Sequence, residues 1–363
     1  MVDKNLNGQG VHGGDIISMA RRLGCAVDDL IDMSSNLSPF GMLPGLREEL
    51  IAKIDEIAFL PESGSETLAA IFAAKYGLHS SQVLVGNGTT EFIYAVPQAV
   101  DCRRAVIVTP TYADYRFASA WAGLEVVDFP LRAEHDFRFD FERLAATLTG
   151  GELVFICNPN NPTSGMVPTR ELYDFALARP GSTFLIDESY LPFVREESMA
   201  GLSLPDNIYV LNSSSKIYGI PGLRLGFLVS SAKNMRRLAE RRKPWGVNRM
   251  AQVAGEYLLG QGDDYVRKIQ DFLVENRPGF VKSLAALPGV SVVPGAANFI
   301  LCRLNGSVTA MQLREAMLKE KIMIRDCHNF VNLDPYYFRV SLKDSERNRR
   351  CLAVLKNVLE DLG

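Results

Sequence analysis

Histidine is scarce in this chain: 363 residues contain four, His12, His79, His135 and His328, which leaves a zinc site or a Ser-His-Asp triad poorly supplied. The six cysteines (Cys25, Cys102, Cys157, Cys302, Cys327, Cys351) stand singly, with no C-x-x-C pair and no histidine at metal-ligand spacing. They are expected to be reduced and mostly packed, and no metal is expected. An excess of one charge is also missing. Thirty-nine Lys and Arg against 42 Asp and Glu give a net charge of −3, so nothing electrostatic points to nucleic acid or an anionic membrane as a partner. No apolar run approaches the ~20 residues of a membrane-spanning helix. The opening MVDKNLNGQGVHGGD has no apolar centre to act as an export signal, which predicts a cytoplasmic location. Repeats, low-complexity tracts and Gly/Ser linkers are absent, so the parts of the chain should interlock. A dinucleotide fingerprint is lacking too, since Gly86-Asn-Gly-Thr-Thr-Glu91 has no final glycine.

What is present is a series of short apolar runs separated by helical patterns: 83–86, 105–109, 153–157, 183–187, 208–212 and 225–230. Near-continuous β-branched runs of this length read as strands buried on both faces, hence an α/β fold with a mostly parallel sheet covered by helices. Function then belongs at the carboxyl ends of the strands. There the unusual polar residues gather: Gly86-Asn87-Gly88, Pro110-Thr111-Tyr112, Asn158 to Gly165, Asp187 to Tyr190, and Ser213 to Lys216. Beyond about residue 248 the pattern changes to long amphipathic helices (248–287, 308–319, 344–361) with a strand at 298–304, which predicts a smaller α+β domain. The expected division is a large domain at 41–250 and a small one made of 1–40 and 251–363.

The segment richest in chemistry is Ser213-Ser-Ser-Lys216 followed by Arg224. An amine, two usable hydroxyls (Ser213, Ser215) and a guanidinium suit a phosphate ester that carries an aldehyde: the lysine can form an imine and the others can neutralise a phosphate. A solvated lysine in a polar loop is the plainer reading of Lys216 alone. Gly88, Thr89 and Thr90 lie between a strand and an amphipathic run, where backbone N–H groups and hydroxyls can cradle phosphate at a helix start, although such glycines also serve only to turn the chain. Arg339 sits inside the apolar run Tyr336-Tyr-Phe-Arg-Val. An unpaired guanidinium there is costly, so a carboxylate is its expected partner, from a substrate or from a buried Asp or Glu.

S-x-S-K with an arginine eight residues on, preceded by the D-E-x-Y strand end at Asp187, resembles the aspartate-aminotransferase superfamily of fold type I, from about His12 to the C-terminus. That resemblance implies a pyridoxal 5′-phosphate enzyme with a seven-stranded large-domain sheet. Lys216 would carry the imine and act as acid–base, and Asp187 would keep the pyridine nitrogen charged. Tyr190 and Asn161 would share the cofactor's phenolic oxygen, and Tyr112 would stack on the ring. The substrate α-carboxylate would go to Arg339, with Arg325 as a second anion contact.

Two subfamilies share these residues, histidinol-phosphate aminotransferases and the threonine-phosphate decarboxylases of cobalamin biosynthesis. The stretches His12-Gly13-Gly14-Asp15, Asp32 to Gly41 (including Asn36), Pro244 to Asn248, Pro294 to Asn298 and Leu333 to Arg339 resemble the decarboxylases more. The expectation is therefore decarboxylation of phosphothreonine, with His12, Gly13 and Gly14 clamping the substrate phosphate, and transamination of histidinol phosphate as the alternative. A homodimer is implied as well. One departure stands out: where both subfamilies usually carry Tyr-Pro-Asp, whose tyrosine reaches the neighbouring subunit's cofactor, this chain has Leu60-Pro-Glu, and Leu60 has no hydroxyl to offer.

Overall fold

Odd and even positions of the central strands are apolar alike, because each strand is packed on both faces. In the strand Glu152–Cys157, Leu153, Phe155 and Cys157 enter one core while Val154 and Ile156 enter another on the opposite side. A period of two along the backbone sends alternate side chains to the two layers of helices. These features are drawn from a computed structural model, which describes residues 13–362.

In chain order the strands are β1 (Ile31–Asp32), β2 (Val83–Asn87), β3 (Arg104–Thr109), β4 (Glu125–Pro130), β5 (Glu152–Cys157), β6 (Thr183–Asp187), β7 (Ile208–Ser213), β8 (Leu225–Val229), β9 (Val290–Val292), β10 (Phe299–Leu304), β11 (Ile322–Met323), β12 (Arg325–Asp326) and β13 (Tyr337–Ser341). Seven form one sheet in the order β2-β8-β7-β6-β5-β3-β4. All of its strands run parallel except β8, which is antiparallel to both β2 and β7. This is the mostly parallel, helix-flanked sheet expected from the sequence.

The reversed strand matters for chemistry. It brings the amino end of β8, where Arg224 lies, to the same edge as the carboxyl ends of its neighbours. The order also reverses direction of travel within the sheet, which creates the crevice where ligands of open α/β sheets bind.

A second sheet, β12-β13-β10-β9, is antiparallel, and β1 pairs with β11. Its apolar residues, among them Phe299, Cys302 and Phe338, share one core with the β5 face that carries Phe155 and Cys157. The helical stretch expected at 248–287 is two helices, Arg249–Gln261 and Asp263–Ala285. They meet at Gly262, where a Cβ would come to 2.5 Å of the Tyr218 hydroxyl. No described helix is long and apolar enough to cross a membrane. All six cysteines are free, and four of them (Cys157, Cys302, Cys327, Cys351) are buried.

Candidate active site

The polar strand ends do converge. Thr89 and Thr90 after β2, Tyr112 and Tyr115 after β3, Asn161 after β5, Asp187 and Tyr190 at the end of β6, Ser213, Ser215 and Lys216 after β7, and Arg224 before β8 line one cavity. Two glycines make the approach possible. A Cβ on Gly88, whose φ is +74°, would come to 2.5 Å of the Arg224 guanidinium, and one on Gly226 would come to 2.6 Å of the Thr89 nitrogen. Arg224 itself sits at φ +60°, a left-handed conformation that costs an arginine of order 1 kcal/mol or more and that surrounding structure must hold. The result is a pocket of hydroxyls and one guanidinium at the start of helix Thr89–Ala99, suited to a phosphate dianion.

Lys216 faces this cavity from the short turn Ser214–Ile217. Among the described residues its amine has no hydrogen-bond partner. Burial, then the Arg224 and Arg339 cations, push its pKa down to about 8, with Asp187 pulling the other way. An amine with a depressed pKa is a better nucleophile at neutral pH.

Asp187 is buried with both oxygens engaged: the Tyr115 hydroxyl donates to Oδ2 at 2.7 Å and the Ser189 N–H to Oδ1 at 2.8 Å. Tyr115 was not singled out in the sequence. A second tyrosine three residues beyond Tyr112 reads as core, and only the fold reveals that its hydroxyl meets Asp187. The Tyr190 phenol is pushed up to about 12, chiefly by burial, against the pull of the Arg339 charge. Tyr112 is raised too, by burial and by nearby Asp114.

The second group of residues lies beside the first. Arg339 on β13 is directly opposite Arg325 on β12 in the antiparallel register. Both are buried. Arg339 donates to the Asn161 side-chain oxygen and, at 2.7 Å, to the Ser34 carbonyl, while its Nε is buried without a partner. Arg325 donates to Asn329 Oδ1 at 2.6 Å, and burial with the Arg339 and Arg314 charges lowers its pKa to about 10. Among the described residues neither guanidinium has a carboxylate partner, so the salt bridge weighed as the alternative is not formed. Like charges facing each other across two strands repel, and two buried cations with no carboxylate in ion-pair contact favour an added anion. The Asn36 amide nitrogen, also buried, lies by the Tyr190 phenol without an ordinary hydrogen bond.

Next to Arg325 is a cavity of about 520 Å³ lined by Gly13, Gly14, Ser34, Arg314 and Arg325 among others. The Gly14 N–H donates to Ser34 Oγ at 3.0 Å, and a Cβ on Gly13 would meet the Ser34 carbonyl at 2.8 Å. His12, expected beside them, lies outside the described residues. Arg314, on helix Ala310–Lys319, was not anticipated, because an arginine on an amphipathic helix reads as solvated surface. Leu60 is 74 % exposed. No group of His, Cys, Asp and Glu among the described residues could hold a metal.

The sequence profile of the family described as "Aminotransferase class I and II" matches residues 28–355. A threonine-phosphate decarboxylase of Salmonella typhimurium is 37 % identical over 358 residues, covering 97 % of each chain. The crystal structure of L-threonine-O-3-phosphate decarboxylase from Porphyromonas gingivalis superposes with a TM-score of 0.82 at 30 % identity, over 91 % of this chain and 100 % of that one. A histidinol-phosphate aminotransferase from Clostridium acetobutylicum gives 0.84 at 25 % identity, over 92 % and 100 %.

Proposed function

This chain belongs to the class I and II aminotransferase family, and from that premise we propose that it is a pyridoxal-phosphate-dependent lyase that decarboxylates L-threonine O-3-phosphate to aminopropanol phosphate, as a step toward cobalamin. The observation that carries the reading is the pair of buried, carboxylate-free arginines facing each other on β12 and β13, one step from a buried amine. Such a pair fits a substrate with two anionic ends.

The residues present fit the cofactor. The cradle formed by Gly88 and Gly226, which any Cβ would fill, leaves Thr89, Thr90, Ser213, Ser215 and Arg224 to hold the phosphate. Lys216 would take the aldehyde, Tyr112 would pack against the ring, Asp187 would pair with the ring nitrogen, and Tyr190 and Asn161 would bind the phenolic oxygen. With Asn161 Oδ1 accepting from Arg339, its Nδ2 is the group left for that oxygen. Once bound, the cofactor supplies an electron sink for the pair left when a bond to the substrate α-carbon breaks.

The chain's own residues then decide which bond that is. Arg339 holds the α-carboxylate, with its partnerless Nε and the Asn36 amide as further donors. Arg325, with Arg314 and the Gly13–Gly14 backbone, holds the distal phosphate. A substrate pinned at both ends cannot rotate freely, so the carboxylate stays in the orientation from which carbon dioxide departs. Lys216 then delivers a proton to the α-carbon.

The division into parts at 41–250 and at 1–40 with 251–363 belongs to the same proposal, as does a cytoplasmic homodimer. Exposed Ile51, Ile54, Ile57, Phe59, Leu60 and Trp245 supply the apolar patch that a second copy would cover. Incubation with phosphothreonine, and separately with histidinol phosphate and 2-oxoglutarate, tests the reaction. Carbon dioxide from the first and no glutamate from the second is the expected result; glutamate without carbon dioxide would make the enzyme an aminotransferase instead.

A further inference from the structure

A buried cation outside the residues assigned so far stands close to the arginine pair. Lys343 is 8 % exposed, follows β13, and has no carboxylate within ion-pair distance among the described residues. Its ammonium donates to one neutral acceptor, the Ser35 carbonyl, at 3.0 Å. Its backbone is fixed at both ends by the Asn348 side chain, which accepts from the Lys343 N–H at 2.8 Å and donates to the Lys343 carbonyl at 2.6 Å. The charged groups around it are Asp32, Arg347, Arg339 and Asp344, and burial above all pushes its pKa down to about 8. Stability alone gives no reason for such a residue, since a methionine would fill the space without burying a charge.

The segment it touches explains more. Arg339, Ser341 and Lys343 are spaced by two and lie in a row along one side of the extended chain. Each holds the strap that runs from Met33 to Leu37. Arg339 donates to the Ser34 carbonyl at 2.7 Å, and Ser341 donates from its N–H to the Met33 carbonyl at 2.8 Å and from its hydroxyl to Asn36 Oδ1 at 3.0 Å. Lys343 holds the Ser35 carbonyl. From the other side, Asp32 Oδ1 accepts from the Ser34 N–H, the Ser34 hydroxyl and the Ser35 N–H. The same Ser34 hydroxyl accepts from the Gly14 N–H. One residue further along, the Ser38 N–H donates to the Lys216 carbonyl at 2.9 Å. The Ser34–Ser35 turn is therefore the joint between Arg339 and the Gly13–Gly14 segment, and the Lys216 turn is tied to the same strap further on, at Ser38.

We propose that Lys343 is a positioning residue for the substrate-carboxylate grip: its ammonium fixes the Ser34–Ser35 turn, whose Ser34 carbonyl sets the orientation of the Arg339 guanidinium. The inference rests on the reading of Arg339 as the carboxylate contact. Lys343 touches neither substrate nor cofactor and acts only through the turn. Removing it frees the Ser35 carbonyl, loosens Ser34, and leaves Arg339 with a wider range of orientations. Binding and orientation of the substrate suffer, while cofactor loading and the proton transfer at Lys216 do not.

Steady-state kinetics of the holoenzyme with phosphothreonine test this, with Lys343→Met, Lys343→Gln and Lys343→Arg each on the wild-type and the Arg339→Lys background. Lys343→Met should raise KM about tenfold, the loss of one hydrogen bond from a charged donor, and lower kcat as the less firmly held carboxylate leaves its reactive orientation, with pyridoxal phosphate absorbance unchanged. Lys343→Arg should restore most of the affinity. On the Arg339→Lys background the Met substitution should add little, because the group it positions is already displaced. A Met variant that does not fold leaves the Gln variant, which removes the charge and shortens the side chain, and a smaller rise in KM is expected from it. Unchanged KM, an equal penalty on both backgrounds, or no rescue by arginine would overturn the inference while leaving the functional reading intact. Wild-type enzyme that binds no phosphothreonine would overturn both.

Discussion

Arg325 and Arg339 are neighbours by register, and the repulsion between them is a cost the ligand-free protein bears. Arg325→Met relieves it. The variant should melt higher than wild type in the absence of ligand, by about 1 kcal/mol of stability, and should lose at least about a hundredfold in kcat/KM for phosphothreonine as a buried charge contact disappears. Thermal scans and initial rates read the two effects; a lower melting point without ligand would make Arg325 a structural residue. The sequence pointed to Arg339 because it is a charge in an apolar strand, and to Arg325 through the family resemblance. It could not reveal that they face each other, since that register is set by the turn between Cys327 and Tyr336. Tyr115, Arg314 and Lys343 were illegible for a related reason: each is an ordinary core or surface residue until tertiary contacts bring it to Asp187, the distal cavity or the Ser35 carbonyl.

At the scale of elements, six strands were readable as apolar runs, and all six lie in the large sheet as β2, β3, β5, β6, β7 and β8. The seventh, β4, was not. It reads Glu125-Val-Val-Asp-Phe-Pro130, with a charge at two of six positions and a closing proline, because it is an edge strand with exposed positions. The reversal of β8 was likewise hidden, as direction leaves no mark on composition. Yet that reversal is what carries Arg224 to the phosphate cradle. The helical pattern at 248–287 reads as one stretch, but it breaks at Gly262, which caps the end of one helix and the start of the next ahead of Asp263 and Asp264. Strand ends, by contrast, were informative because parallel sheets concentrate polar residues at one edge, and Asp187, Lys216 and Asn161 were found there.

The whole molecule presents an apolar face to solvent around the helix Leu46–Ala52 and the loop that follows. Ile51, Ile57, Phe59 and Leu60 are each more than half exposed, and the Trp245 N–H is bonded to the Ser63 carbonyl beside them. In the proposed homodimer Leu60 would contribute burial to this contact rather than a hydrogen bond. Leu60→Asp should shift sedimentation at micromolar concentration from dimer to monomer, because a carboxylate buried in an apolar contact costs several kcal/mol; a wild-type monomer would contradict this. The central claim, however, is that the amine at Lys216 carries the chemistry, and this molecule contains its own control. Lys343 is also buried with a pKa near 8. Reduction of the cofactor-loaded protein with borohydride, followed by peptide mass spectrometry, distinguishes the two. The label should lie on Lys216 and should be lost when phosphothreonine is added before the reductant; imine formation on adding the cofactor to the cofactor-free protein should speed up as pH rises through about 8 and level off above it, since the neutral amine is the reacting form. A label on Lys343, or on no lysine at all, would contradict the account.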